Sequence, residues 1–232
     1  MTKLSIIIPV YNEEKTLAKI VDRVQKVRLN RVNKELIIVN DASKDDSQGI
    51  IEQLKKKYDN IISFKHDANQ GKGAAIRTGL KHFSGDMVVI QDGDLEYNPE
   101  DFKKMIKPVM EGKASVVYGS RLLGHITGFS IPTHYYGNKF LSFVTGVLYG
   151  ARITDMETCY KMMTRDVAKS INLKSNRFDI EPEITVKILK KKHKILEIPI
   201  DYNCRTFEEG KKITWKDGIV AILTLFKYRF FD

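Results

Sequence analysis

Two aspartates one residue apart, Asp92 and Asp94, stand in the middle of the stretch "VVIQDGDLEYNPE", and Glu96 follows two residues later. The apolar, β-branched residues before them read as a strand, which puts the acids at its tip. Asp-Gly-Asp is by itself a common surface turn. Two carboxylates on one strand-end turn, however, repel each other unless a cation sits between them. Oxygen-only ligands suit Mg²⁺ or Mn²⁺, and Mg²⁺ is commonly shared with substrate phosphates. Asp92 and Asp94 are therefore candidate metal ligands, with Glu96 as a third, and the metal would grip a diphosphate.

Two further stretches could meet the same ligand. In "NQGKGAAIR", Gly71 and Gly73 precede a helix whose N-terminus can attract phosphate, and Lys72 and Arg77 add positive charge. The spacing is neither a Walker loop nor a dinucleotide fingerprint, and an ordinary helix start is the competing reading. In "NDASKDDS", Ser43 or Asp45 is suited to cap a helix. Asp41 differs, because it stands at a strand tip where it could accept hydrogen bonds from a nucleobase or ribose.

The elements that would carry these residues alternate. "LSIIIPV", "ELIIVN", "IISFKH", "DMVVIQ" and "ASVVYGS" read as buried strands. Leu17, Ile20, Val21, Val24 and Val27 keep one helical face, as do Ile51, Leu54 and Tyr58, and Ile76, Leu80 and Phe83. Such alternation predicts an α/β fold with a mainly parallel sheet flanked by helices. Ligands of such sheets gather at the carboxyl ends of the strands. "YNEE", "NDASKDDS", "DANQGKG" and "DGDLE" all fall there, on one rim. Beyond residue 120, "RLLGHITGFSIPTHYYGNK" lacks periodicity and reads as a long loop. An apolar helix over "FLSFVTGVLYGA", a helix near Glu181 to Lys192, a strand "ILEIPIDY", a basic loop and a last helix "IVAILTLFKYRF" complete the chain.

The 232 residues are 42% hydrophobic and 29% charged, as expected of one large globular domain. A formal net charge of +10 points to an anionic partner. Cys159 and Cys204 form neither a metal motif nor a disulfide framework, so a reducing compartment is expected. The N-terminal apolar run is too short for a signal peptide, and no stretch approaches the roughly 18 apolar residues of a membrane span.

The successive motifs "IIIPVYNEE", "VNDASKDDS", "NQGKGAAIRTG", "DGDLEYNP" and "VYGSR" resemble those of family-2 glycosyltransferases. "TDMETCYKMM", "FDIEPEI" and "EIPIDYNCRTFEEGKKITWKDG" are similar to the branch of dolichyl- and polyprenyl-phosphate mannose and glucose synthases. The resemblance covers nearly the whole chain. It implies the nucleotide-diphospho-sugar transferase (GT-A) fold over 1–232, with 1–120 as the nucleotide-sugar half and 121–232 as the acceptor half. It implies that Pro9, Tyr11, Glu13 and Asp41 hold the nucleotide, and Lys72 of the glycine-rich stretch is a further candidate for binding it. Asp92, Asp94 and Glu96 match the metal site. Arg121 matches a residue that meets the acceptor phosphate, and Arg205 and Lys211 match basic residues that close over the diphosphate. Where these synthases carry a further arginine before the apolar helix, this chain has His134 and Lys139.

The implied chemistry is in-line displacement at the anomeric carbon of a nucleotide-sugar such as GDP-mannose or UDP-glucose, with inversion. A phosphate acceptor is already charged and needs no general base. A sugar hydroxyl would need one, and Asp155 and Glu157 are the candidates. A lipid-linked acceptor implies peripheral attachment at the cytoplasmic face of a membrane and leaves room for a separate membrane partner. Five lysines between Lys187 and Lys194, the basic C-terminal stretch, and a face of Phe140, Phe143, Val144, Val147 and Leu148 would suit that surface. Nucleic acid is not an expected partner, because no helix-turn-helix, zinc or RNP signature accompanies the charge. A non-catalytic nucleotide-sugar binder is the remaining rival.

Overall fold

The computed structural model describes residues 1–128, 132–204 and 215–231. Alternation begins at once: β1 (Thr2–Val10), α1 (Leu17–Lys26), β2 (Val32–Asn40), α2 (Ser47–Lys57), β3 (Ile61–Lys65), α3 (Lys72–His82) and β4 (Met87–Ile90). A 3₁₀ turn at Pro99–Asp101 leads into α4 (Phe102–Met110) and β5 (Val116–Ser120). Then follow β6 (Ile126–Gly128), α5 (Pro132–Tyr149), β7 (Lys161–Thr164), α6 (Arg165–Ser170) and α7 (Ile180–Lys190). The chain ends with β8 (Leu196–Pro199), β9 (Tyr202–Cys204) and α8 (Trp215–Phe230).

Seven strands form one sheet in the order β3-β2-β1-β4-β7-β5-β8. All neighbours are parallel except β7, which runs antiparallel to both β4 and β5. The first five strands match the sequence expectation, and the sheet is mainly parallel. β7 is an addition, because "KMMT" has little β-branching to announce it. β6 and β9 pair in a small second sheet. The expected loop before Lys139 is shorter than anticipated, since α5 already begins at Pro132. Proline suits a helix start, where its missing N–H costs nothing.

The helices bury the faces their spacing indicates. In α1, Leu17, Ile20, Val21 and Val24 are fully enclosed. The open carbonyls at its end (Val24, Gln25 and Val27) all accept from Lys34 Nζ at 2.7–2.8 Å, a cation suited to a helix C-terminus. One core spans the sheet, and a smaller one joins α5, α7 and α8 through Leu141, Ile153, Met156, Val186, Ala221, Leu225 and Tyr228. The outer faces of α5 and α8 leave Phe140, Phe143, Val147, Trp215, Leu223 and Phe230 more than half exposed.

Register brings the acidic turn to its place. Ile7 is paired with both Ile37 and Ile90, so β1 and β2 run on past the end of β4. The chain leaving β4 crosses in front of β1, and an added Cβ on Gly93 would stand 3.3 Å from the Pro9 carbonyl oxygen.

Candidate active site

A cavity of about 460 Å³ opens at the carboxyl ends of β1, β2 and β4. Pro9, Tyr11, Glu13, Asp41, Lys72, Asp92 and Asp94 line it together. These seven residues come from four separate stretches of sequence. The cavity also takes in Arg177, Phe178 and Asp217. Sequence reasoning missed these three; a basic–aromatic pair just before an acidic helix start was the available signal.

The first two strand tips are laced to each other. Asn12 N donates to Ser43 Oγ, Glu13 N to Ser47 Oγ and Glu14 N to Asp45 Oδ2, each at 3.0 Å. Glu14 Oε2 in return accepts from Asp46 N. Ser43 and Asp45 are thus braces between two loops. The residue at the N-cap of α2 is Asp46, and its side chain makes no capping bond.

Asp41 is buried and already well supplied with donors. Its Oδ1 accepts from Gln70 N at 2.9 Å and lies 2.7 Å from His66 Nδ1, while Oδ2 accepts from Gly71 N at 2.7 Å. His66 Nε2 in turn contacts Thr78 Oγ1. The carboxylate therefore organises the 69–71 loop against the cavity wall. Gly71 has φ +101°, and a Cβ there would meet the Asn176 carbonyl oxygen at 2.4 Å. At Gly73 it would meet the Ser175 carbonyl oxygen at 2.6 Å. Both glycines admit the 175–177 backbone, and Arg77 holds that backbone through Lys174 O and Asn176 Oδ1, both at 2.7 Å. The charge of Arg77, offered by the sequence as a phosphate contact, is used structurally.

Lys72 Nζ lies 2.7 Å from Asp92 Oδ1 and 3.1 Å from Glu181 Oε1. Burial opposes its charge, but Asp92 and Glu181 outweigh that and hold its pKa well above the usual lysine range. Glu181 also pairs with Lys161, which is fully buried and donates to Thr158 O. Asp94 Oδ1 accepts from Glu96 N at 3.0 Å. The Glu96 carboxylate accepts from the Tyr202 hydroxyl at 2.7 Å and does not line the cavity. Among the described residues, no three of His, Cys, Asp and Glu are grouped to hold a metal. Asp92 and Asp94 nevertheless fit one. They are oxygen donors on one wall, at a place that already stabilises an ammonium. A hexacoordinate Mg²⁺ or Mn²⁺ would draw its other ligands from diphosphate and water.

Arg121 and Asp155, which do not line the cavity, form a largely buried pair. Asp155 is fully buried; its Oδ2 accepts from Arg121 N and Nε at 2.9 and 2.8 Å, and its Oδ1 from Arg121 Nη2 and Asn138 Nδ2 at 2.8 and 2.7 Å. Burial alone would raise the Asp155 pKa, yet Arg121 brings it below the ordinary carboxylate value. The guanidinium also stands 5.1 Å from the centre of the Tyr202 ring, linking it to Glu96. Glu157 contrasts with Asp155. Its Oε1 is buried without a hydrogen-bond partner, and burial pushes its pKa up to about 7. Arg205 and Lys211 lie outside the described residues.

The comparisons with known proteins agree with this geometry. Residues 5–171 match the glycosyl transferase family 2 pattern. The chain is 34% identical over 216 residues to a dolichyl-phosphate beta-glucosyltransferase of Trichomonas vaginalis, covering 86% of this chain and 65% of that protein. It is 32% identical to the UDP-N-acetylglucosamine–dolichyl-phosphate N-acetylglucosaminyltransferase of Methanococcus voltae, covering 84% and 83%. It is 27% identical to a dolichol-phosphate mannosyltransferase of Pyrococcus furiosus, covering 90% and 59%. The chain therefore spans about two thirds of the Trichomonas protein and less of the Pyrococcus one. In fold it resembles glucosyl-3-phosphoglycerate synthase from Mycobacterium tuberculosis, solved with Mn²⁺, UDP-glucose and phosphoglyceric acid. The TM-score is 0.75 at 16% identity, over 98% of this chain and 80% of that one. With an α/β sheet of the GT-A type and a nucleotide-sized cavity at its acidic rim, this chain belongs to glycosyl transferase family 2.

Proposed function

We propose that the chain transfers a hexose, with inversion, from a nucleotide-sugar such as GDP-mannose or UDP-glucose to a polyprenyl phosphate at a membrane surface. The observation that carries this reading is the shared cavity lined by Pro9, Tyr11, Glu13, Asp41, Lys72, Asp92 and Asp94. Relatives named for dolichyl-phosphate transfer support the acceptor class. Residues 1–120 would serve the donor and 121–232 the acceptor, within one catalytic unit.

In this mechanism Asp41 holds the 69–71 loop in shape, and Pro9, Tyr11 and Glu13 seat the nucleoside. Asp92 and Asp94 would hold Mg²⁺ or Mn²⁺, which supplies stabilisation of the diphosphate leaving group. Arg121 attracts the acceptor phosphate. Its Nε–H and one Nη2–H are committed to Asp155, so the two Nη1–H and the second Nη2–H form the end of the guanidinium left for phosphate oxygens. That end can still offer two parallel N–H groups, and Asp155 positions the arginine instead of acting as a base. Basic residues Arg205 and Lys211 are assigned to the diphosphate on sequence grounds alone.

Membrane contact would use the outer faces of α5 and α8. Tyr136, Phe140, Phe143, Val147, Ile219, Leu223, Phe226 and Phe230 are all exposed there, with Lys139, Lys216, Lys227 and Arg229 nearby in sequence. Among the described residues no helix is long and apolar enough to cross a membrane. We read the attachment as peripheral, on the cytoplasmic face, through these two helix faces. A second reading, transfer to a sugar hydroxyl, is favoured by Glu157 alone, whose raised pKa and unpartnered oxygen suit a general base.

Donor binding is tested by calorimetric titration of UDP-glucose, UDP-N-acetylglucosamine and GDP-mannose, each with Mn²⁺, into wild type and Asp92→Asn. One donor is expected to bind wild type and to lose at least about tenfold in affinity to the variant, through a lost charge contact. Equal binding by both proteins would remove Asp92 from the diphosphate site.

A further inference from the structure

Lys72 is the first residue of α3. A cation is disfavoured at a helix N-terminus, where the backbone dipole is positive, so a specific partner must hold this ammonium in place. Two partners do. Asp92 Oδ1 is 2.7 Å from Nζ and Glu181 Oε1 is 3.1 Å away. The second contact is close but not a formed hydrogen bond, for Glu181 Oε1 is buried and makes none. The other Glu181 oxygen is held by the fully buried Lys161. Charges thus alternate from the cavity wall inward: Asp92, Lys72, Glu181, Lys161.

We propose that Lys72 is the resident counter-cation of the acidic turn and that it passes from Asp92 to Glu181 when a divalent cation enters with the diphosphate. This rests on the reading of Asp92 and Asp94 as metal ligands. A metal arriving alone must displace an ammonium already bound to Asp92, with no anion to compensate for the crowding of positive charge. Arriving with a diphosphate, it brings its own negative charge, and Lys72 turns to an acceptor it already touches. The movement is a reorientation between two oxygens in contact with the same nitrogen, so it requires no change in the fold. Glu181 is a positioning residue for this exchange. Metal and nucleotide then bind as a unit, and the empty site rejects free divalent cations.

The test is Mn²⁺ binding, read from the electron paramagnetic resonance signal of the free ion, with and without UDP or GDP. Wild type is expected to bind Mn²⁺ weakly alone and more tightly with one nucleoside diphosphate. Lys72→Met should strengthen binding of Mn²⁺ alone by about tenfold or more, since a single charge is removed at contact distance. Lys72→Arg, which keeps the charge, should leave that binding weak and shows that the effect is electrostatic. Glu181→Gln takes away the alternative partner and should weaken Mn²⁺ binding in the presence of nucleotide by a similar factor. The gain expected of Lys72→Met is one that a general loss of folding cannot mimic, and a metal-free nucleotide titration of Glu181→Gln, which also leaves buried Lys161 unpaired, shows whether that variant is folded. Unchanged Mn²⁺ affinity in Lys72→Met, beside normal nucleotide-dependent binding by wild type, overturns the exchange and leaves the metal site standing. Failure of wild type to bind Mn²⁺ even with either diphosphate overturns both.

Discussion

Asp155→Asn separates a clamp from a general base. In wild type the carboxylate accepts four hydrogen bonds, three of them from Arg121, and the Arg121 side chain is only 15% exposed. The asparagine keeps the shape, but one carbonyl oxygen replaces two acceptors, and its amide places a donor against donors. Arg121 is left with a buried, uncompensated charge. Removing one partner of a buried pair costs about 3–5 kcal/mol. The retained oxygen argues for the lower end. With a urea m-value of about 3 kcal/mol/M for a domain this large, the unfolding midpoint should fall by about 1 M. Arg121→Gln should cost a similar amount, and the double variant should recover much of the loss, giving a coupling energy above about 1 kcal/mol in the cycle. A midpoint unchanged within about 0.2 M, together with collapsed transferase activity, would refute the clamp and return Asp155 to the role of base.

Three other outcomes follow from particular contacts. Gly71→Ala places a methyl group 2.4 Å from the Asn176 carbonyl oxygen at φ +101°, so it should destabilise the fold by at least about 2 kcal/mol and weaken nucleotide binding; an unperturbed melting temperature would contradict the close approach. Glu157 has its carboxyl pKa raised to about 7, so the folded protein holds a proton that the unfolded chain releases above the ordinary value of 4.5. Wild-type stability should therefore fall as pH rises from 4.5 to 7 by up to about 3 kcal/mol, and Glu157→Gln should flatten that slope in urea titrations at pH 5 and 8; parallel profiles would refute the assignment. Phe143→Ser with Leu223→Ser removes two exposed apolar side chains, so stability should change little while co-sedimentation with anionic vesicles drops about tenfold; undiminished sedimentation would exclude the α5–α8 face as the lipid contact.

Local signals made the first half of the fold readable. The strand runs ending at Val10, Asn40 and Ile90 combine β-branching with an abrupt polar stop, and the helices between them repeat apolar residues at helical spacing. The rim followed from topology, because parallel strands put all their C-terminal ends on one side. What stayed hidden depends on contacts between distant residues. Arg121 and Asp155 are separated by 34 positions, and nothing near either one announces that one edge of the guanidinium is already taken. Lys72 and Glu181 meet only because α3 and α7 converge behind the acidic turn. Glu96 follows Asp94 closely enough to look like a third ligand, yet its partner is Tyr202, 106 residues away. Strand β7 was equally opaque. Its four residues, Lys161–Thr164, belong to the sheet through pairing with β4 and β5, not through their own propensity.

The most direct measurement is of the product itself. The protein would be incubated with UDP-glucose, UDP-N-acetylglucosamine or GDP-mannose, Mn²⁺ or Mg²⁺, and a polyprenyl phosphate in anionic vesicles, alongside soluble sugar acceptors. Mass spectrometry would then identify every glycosylated species. One donor, a polyprenyl-phosphate hexose as the product, and the loss of that product in EDTA are expected. Glycosylation of a soluble hydroxyl with the lipid phosphate untouched would contradict transfer to a polyprenyl phosphate.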